Sequence, residues 1–144
     1  AFLGRYEEFK TFFHGHSYTG NPLGCAVALA NLDVFEKERT LDRLRPKIAA
    51  LGRLLKPLRE HPHVGDIRQI GLIAGIELVR NRATKAPYPL AERVGMRVAD
   101  EARTLGLLIR PLGNIIVLMP PLSTTMKELR QMAGIVTKAI RTVI

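Results

Sequence analysis

Six apolar residues, Leu41, Leu44, Ile48, Leu51, Leu55 and Leu58, recur at alternating steps of three and four and form one stripe of a 3.6-period helix. A helix with a single apolar stripe must bury it against another layer. The β-like runs Val64 to Ile70 and Leu72 to Val79, with Gly71 between them, follow directly and can supply one, as a tight pair or as one bent strand. Pro46 lies inside the stripe, where its missing donor and its ring predict a kink or a split.

The rest of the chain extends this pattern. Thr19-Gly-Asn-Pro22 is a breaker cluster in which Asn21 suits an N-cap and Pro22 a first helical residue. The small apolar run from Leu23 to Leu32 has no polar face over two turns, which predicts a helix buried on most sides. Gly75, inside the second β-like run, suggests a bulge or a close backbone approach. Residues 81–89 read as a loop, and Leu90 to Leu105 as a helix ended by Gly106. Residues 107–121 read as two short strands about a turn at Leu112 to Asn114, stopped by Pro120 and Pro121. Ser123 or Thr124 is the expected cap of a last helix. The expected fold class is α+β: one domain over residues 1–144, in which residues 1–22 lead into a small, mainly antiparallel sheet covered by helices over residues 23–144.

Composition narrows the function classes. With 47% hydrophobic and 24% charged residues in 144, the chain is neither a disordered tail nor a coiled coil. No apolar run approaches a membrane span, so no membrane partner and a soluble, cytoplasmic protein are expected. Cys25 is the single cysteine, and four histidines do not suggest a metal site; His14 and His16 would need two further ligands nearby. The net charge of +9 invites a nucleic-acid reading. Against it, the densest basic stretch, Lys37 to Arg59, is interleaved with Glu36, Glu38, Asp42 and Glu60, and no aromatic stacking motif accompanies it, so no nucleic-acid partner is expected. The opening residues read as the middle of a longer chain.

Two places carry chemistry. The segment His14-Gly-His-Ser-Tyr-Thr-Gly-Asn-Pro22 combines glycines, hydroxyls and a helix N-terminus, the parts of an anion site; the alternative is a capped loop with spare hydroxyls. Arg110 follows Leu107-Leu-Ile and precedes Pro111, which puts a planar fork able to hold a carboxylate by two bonds at a strand end; the alternative is a surface ion pair.

At these residues the sequence resembles the class III pyridoxal-phosphate aminotransferases, and among them the branch that acts in biotin synthesis. The likeness spans the chain in three pieces: Phe12 to Leu32, Val64 to Leu78, and Gly106 to Pro121. Gly-Asn-Pro-Leu and Arg-Pro-Leu-Gly recur across the class, while His-Gly-His-Ser-Tyr and the Pro-Tyr-Pro loop at 87–89 are similar to the biotin branch. The resemblance implies the C-terminal small domain of a fold-type I enzyme, working as a homodimer with pyridoxal 5'-phosphate. The implied substrates are 8-amino-7-oxononanoate and an amino donor. By the same resemblance His16 and Ser17 contact the cofactor phosphate across the dimer interface, Gly15 lines the substrate site, and Arg110 binds the substrate carboxylate. No catalytic residue and no metal ligand falls within this chain, since the cofactor-attaching lysine and the aspartate on the pyridine nitrogen match upstream positions; Lys10 does not fit the lysine's context. Some members carry Pro-Thr where this chain has His16-Ser17, and an aromatic residue in place of Val117.

Overall fold

The computed structural model describes residues 4–10 and 15–144, which fall into two compact units, residues 1–39 and 40–144. His14, Phe12 and Phe13, named above for the metal pair and the resemblance, lie outside the described residues.

The first unit holds a 3-10 turn at Tyr6–Glu8 and helix α1, Pro22–Lys37. As expected, α1 starts at Pro22 with Asn21 as cap: the Asn21 carboxamide oxygen accepts from the amides of Leu23 at 2.9 Å and Gly24 at 3.3 Å. The expected burial is not seen. No residue of α1 is buried, and Leu23 is 79% and Val27 69% exposed. An all-round apolar helix gains nothing from water, so this surface is suited to a covering layer.

The second unit is a one-sided sandwich. Helix α2, Thr40–Leu55, is followed by a 3-10 turn at Lys56–Glu60, strands β1, Val64–Ile70, β2, Ile73–Asn81, and β3, Ala86–Pro87, then α3, Val94–Thr104, β4, Ile115–Leu118, and α4, Met126–Val143. β2 pairs antiparallel with β1 along one edge and with β4 and β3 along the other. Period-2 alternation then sends Ile67, Ala74, Ile76, Leu78, Ile116 and Leu118 to one face, where they meet Leu51 and Leu55 of α2, Val98 of α3 and Leu129 and Val136 of α4 in one core. The α+β reading and the antiparallel sheet hold, and the two runs about Gly71 are a hairpin instead of a bent strand.

Four local expectations are corrected. Pro46 does not split the chain: α2 runs through it from Thr40 to Leu55, and the break falls upstream at Arg39, which follows the Glu38 cap of α1 with φ 48°. The register shifts fall at Val64/Asp66 and at Val79/Asn81 and not at Gly75; a Cβ on Gly65 would stand 2.7 Å from Val79 Cγ1, whereas one on Gly75 would meet only Ile115 at an ordinary 3.5 Å. Residues 107–110 form no strand, and the expected hairpin reduces to one bridge, Leu112 to Ile115, beside the donor-less Pro111. The last helix is capped by Thr125, because Thr125-x-x-Glu128 closes a capping box that Ser123 and Thr124 cannot form: Glu128 N–H donates to Thr125 Oγ1 at 3.2 Å and Thr125 N–H to Glu128 Oε2 at 2.7 Å.

Candidate functional site

The loop of residues 15–20 is held by its own hydrogen bonds. The His16 amide donates to Thr19 Oγ1 at 3.0 Å, the Thr19 amide returns to His16 O at 3.0 Å, and the Tyr18 amide donates to His16 Nδ1 at 3.2 Å. The His16 imidazole is thus turned onto its own turn and acts as a loop brace. Ser17 is exposed, and its hydroxyl and amide have no hydrogen-bond partner among the described residues. Gly15 is equally open, for a Cβ there would meet nothing within 4 Å.

The adjoining helix end differs from the expectation of an anion-ready N-terminus. Pro22 has no donor, Leu23 and Gly24 are bonded to the Asn21 side chain, and the Cys25 amide bonds Asn21 O at 2.9 Å. What remains for an anion is the loop itself: the Ser17 hydroxyl and amide, with the positive end of the α1 dipole behind them. A hydroxyl donor, an unpaired amide and an adjacent side-chain-free glycine are a donor set suited to a phosphate ester, so these residues fit the cofactor phosphate chemically.

Arg110 is exposed, and no hydrogen bond or ion pair engages it among the described residues. Its position is nonetheless tightly set. Pro111, the next residue, is buried. Leu112 and Ile115 exchange backbone hydrogen bonds at 2.9 and 3.0 Å; Leu78 N–H donates to Asn114 O at 2.8 Å, and Asn114 Nδ2 donates to Tyr88 O at 2.7 Å. Behind the turn stands Gly95 of α3, where a Cβ would lie 2.0 Å from Gly113 O and 3.2 Å from Pro111 Cβ. Only a glycine lets the helix backbone approach so closely. Gly113 itself has φ +57°, a conformation that glycine adopts without strain.

Tyr88 is tied down in turn. Its hydroxyl lies 2.8 Å from His63 Nδ1, which is also 3.2 Å from Val79 O, and Arg80 stacks over its ring at 5.9 Å while pairing with Glu92. Burial above all raises the Tyr88 pKa, with Glu92 adding to the rise and Arg80 and Arg97 opposing it, so the phenol stays protonated through neutral pH. The Pro-Tyr-Pro loop therefore supports the turn that follows Arg110. Gly95 and Asn114 were not singled out by the sequence. The signal for the first was a glycine inside a helical pattern, and for the second an Asn beside a turn glycine.

A cleft of about 650 Å³ lies beside the segment before Arg110, lined by Leu107, Ile109, Met119, Met132 and Ile135 among others; Arg110 does not line it. Cys25 is exposed, and among the described residues no cluster of His, Cys, Asp and Glu could hold a metal and no helix is long and apolar enough to cross a membrane.

Comparison with known proteins places this geometry. The family described as aminotransferase class-III matches residues 3–140. The adenosylmethionine-8-amino-7-oxononanoate aminotransferase of Nitratidesulfovibrio vulgaris is 59% identical over 97% of this chain and 26% of its own length. The same-named enzyme of Geobacter sulfurreducens is 59% identical over 99% of this chain and 32% of its own. Among solved structures, the like-named enzyme of Methanocaldococcus jannaschii superposes with a TM-score of 0.88 at 45% identity, over 99% of this chain and 32% of that one. An (S)-enantioselective omega-transaminase from Thermomicrobium roseum gives 0.85 at 35% identity, over 93% and 30%. The chain thus spans between a quarter and a third of the length of the relatives it matches. With a match across nearly all its residues and a shared fold, it belongs to the class III aminotransferase family.

Proposed function

We propose that this chain is part of a pyridoxal-phosphate-dependent aminotransferase that converts 8-amino-7-oxononanoate to 7,8-diaminononanoate in biotin synthesis. The observation that carries this reading is the 59% identity, over 97% and 99% of the chain, to two relatives that both bear that activity in their names. The complete enzyme works as a homodimer, in which residues 15–17 of one subunit reach the cofactor phosphate of the other. When bound, pyridoxal phosphate supplies the electron sink that amino transfer requires.

The residues of this chain bind and orient. The Ser17 hydroxyl donates to the cofactor phosphate, His16 keeps the loop in shape, and Gly15 leaves room for the substrate. Arg110 offers its unpaired guanidinium to the substrate carboxylate, and the turn locked by Gly95, Pro111 and Asn114 fixes where that fork sits. S-adenosylmethionine, which appears in the relatives' names, is the proposed amino donor in place of lysine.

The test uses the complete polypeptide loaded with pyridoxal phosphate. Addition of 7,8-diaminononanoate should shift the visible absorbance of the bound cofactor and release 8-amino-7-oxononanoate. A spectrum unmoved by this diamine but shifted by ornithine or another ω-amine would instead assign an ω-aminotransferase, the reading favoured by the likeness to omega-transaminase structures.

A further inference from the structure

α4 carries a second feature that amino transfer does not use. Its outer face presents Arg130, Gly134, Thr137, Lys138 and Arg141, which follow one another at helical spacing and lie on one side. With Leu54 and Pro57 at the end of α2 and its 3-10 turn, these residues line a groove of about 430 Å³. No carboxylate lines it, and none of the three cations has an ion-pair partner among the described residues. The nearest acids in sequence are engaged elsewhere: Glu60 faces Arg82 at 3.6 Å, and Glu128 closes the capping box.

The groove is also accessible. A Cβ on Gly134 would meet nothing within 4 Å, so the floor between the cations is open. The Thr137 and Thr142 hydroxyls are turned onto the helix, donating to Ala133 O at 2.8 Å and Lys138 O at 3.0 Å, so the charged groups of the lining are the three cations, beside the apolar Leu54, Pro57 and Ala133. The positive field reaches past the groove: Arg141 is among the causes that lower the His61 pKa, after burial and after His63.

We propose that this groove binds a small oligophosphate, a diphosphate or triphosphate group. Three unpaired cations that line one concavity match several adjacent phosphate charges, with the guanidinium forks of Arg130 and Arg141 able to give paired hydrogen bonds and Lys138 a point charge. From Arg130 to Arg141 the helix rises by eleven steps, about 16 Å, which is short for a duplex track, and no aromatic side chain lines the groove to stack a base. The end of α4 also favours cations through its dipole, but that accounts only for Lys138 and Arg141 in the last turns and not for Arg130 near the start.

The test is a calorimetric titration of the full chain with inorganic pyrophosphate at about 0.15 M salt, where loosely held surface charge is largely screened. Saturable one-to-one binding is expected, together with a rise of the His61 pKa toward the ordinary imidazole value by NMR. Lys138→Gln with Arg141→Gln should weaken binding at least about tenfold, and Gly134→Leu, which keeps every charge and fills the floor, should do the same. Lys127→Gln, on α4 but outside the groove, should leave it unchanged. Absence of saturable binding would overturn the proposal, as would an equal loss with Lys127→Gln, or binding of duplex DNA that pyrophosphate fails to displace.

Discussion

At the residue scale, Arg110 stands unpaired at a place fixed by its neighbours. The sequence showed an arginine between an apolar run and a proline but not the support behind it, because Gly95 lies in a helical pattern fifteen positions away and its closeness to Gly113 arises only on folding. Gly95→Ala should therefore cost about 2–4 kcal/mol, since a Cβ 2.0 Å from Gly113 O forces backbone to move; urea unfolding followed by circular dichroism would show it. A cost below about half a kcal/mol would mean that the turn is loose. In the complete enzyme, Arg110→Lys should weaken substrate binding more than cofactor binding, because an ammonium cannot form the paired bonds of the fork; equal losses in the two titrations would contradict the carboxylate role. Ser17 was legible from its motif, whereas the capture of the helix-end amides by Asn21 was not, because Asn-Pro at a helix start signals a cap without saying which donors it consumes.

At the element scale, periodicity was the readable part. The stripe on α2 from Leu44 onward, the alternation on β2 and the helical spacing of Val94, Val98 and Ala102 reach the core as their patterns imply, whereas Leu41, in the first turn of α2, is 68% exposed. Ends were less readable. Gly106 did mark the end of α3, at φ +89°, with Leu107 N–H donating to Ala102 O at 2.9 Å. The start of α4 was missed by one or two residues because three hydroxyl residues stand in a row, and only Glu128, three positions after Thr125, decides among them. Thr125→Ala should cost about 1 kcal/mol in thermal unfolding, while Ser123→Ala should be near neutral. Glu128 adds a pH signature. The Thr125 amide and hydroxyl hold its carboxyl below the usual range, so its contribution is present above the unfolded pKa and fades as pH falls through the lower folded one. Thr125→Ala should flatten the acid limb of the stability profile; an unchanged limb would mean the box does not form in solution.

At the scale of the whole molecule, α1 is the feature that sequence and structure describe differently. Its apolar run predicted burial, and here Leu23, Val27, Leu29 and Leu32 face solvent, each at least 60% exposed. Periodicity can show that a helix needs cover, but not which part of a polypeptide provides it. The isolated 144-residue chain should consequently self-associate, and Leu29→Lys should shift the sedimentation profile toward monomer; a monomeric parent chain would show that α1 finds cover within itself. The isolated chain should also lack transaminase turnover, since it spans only 26% and 32% of the length of its Nitratidesulfovibrio vulgaris and Geobacter sulfurreducens relatives.

The most direct measurement follows product from the complete polypeptide, given pyridoxal phosphate, 8-amino-7-oxononanoate and S-adenosylmethionine, by mass spectrometry. The expected product is 7,8-diaminononanoate, formed far more slowly by Arg110→Lys at low substrate and with the difference narrowing as substrate rises. No diaminononanoate from an enzyme that turns over other ω-amines would contradict it, leaving a class III aminotransferase of different substrate.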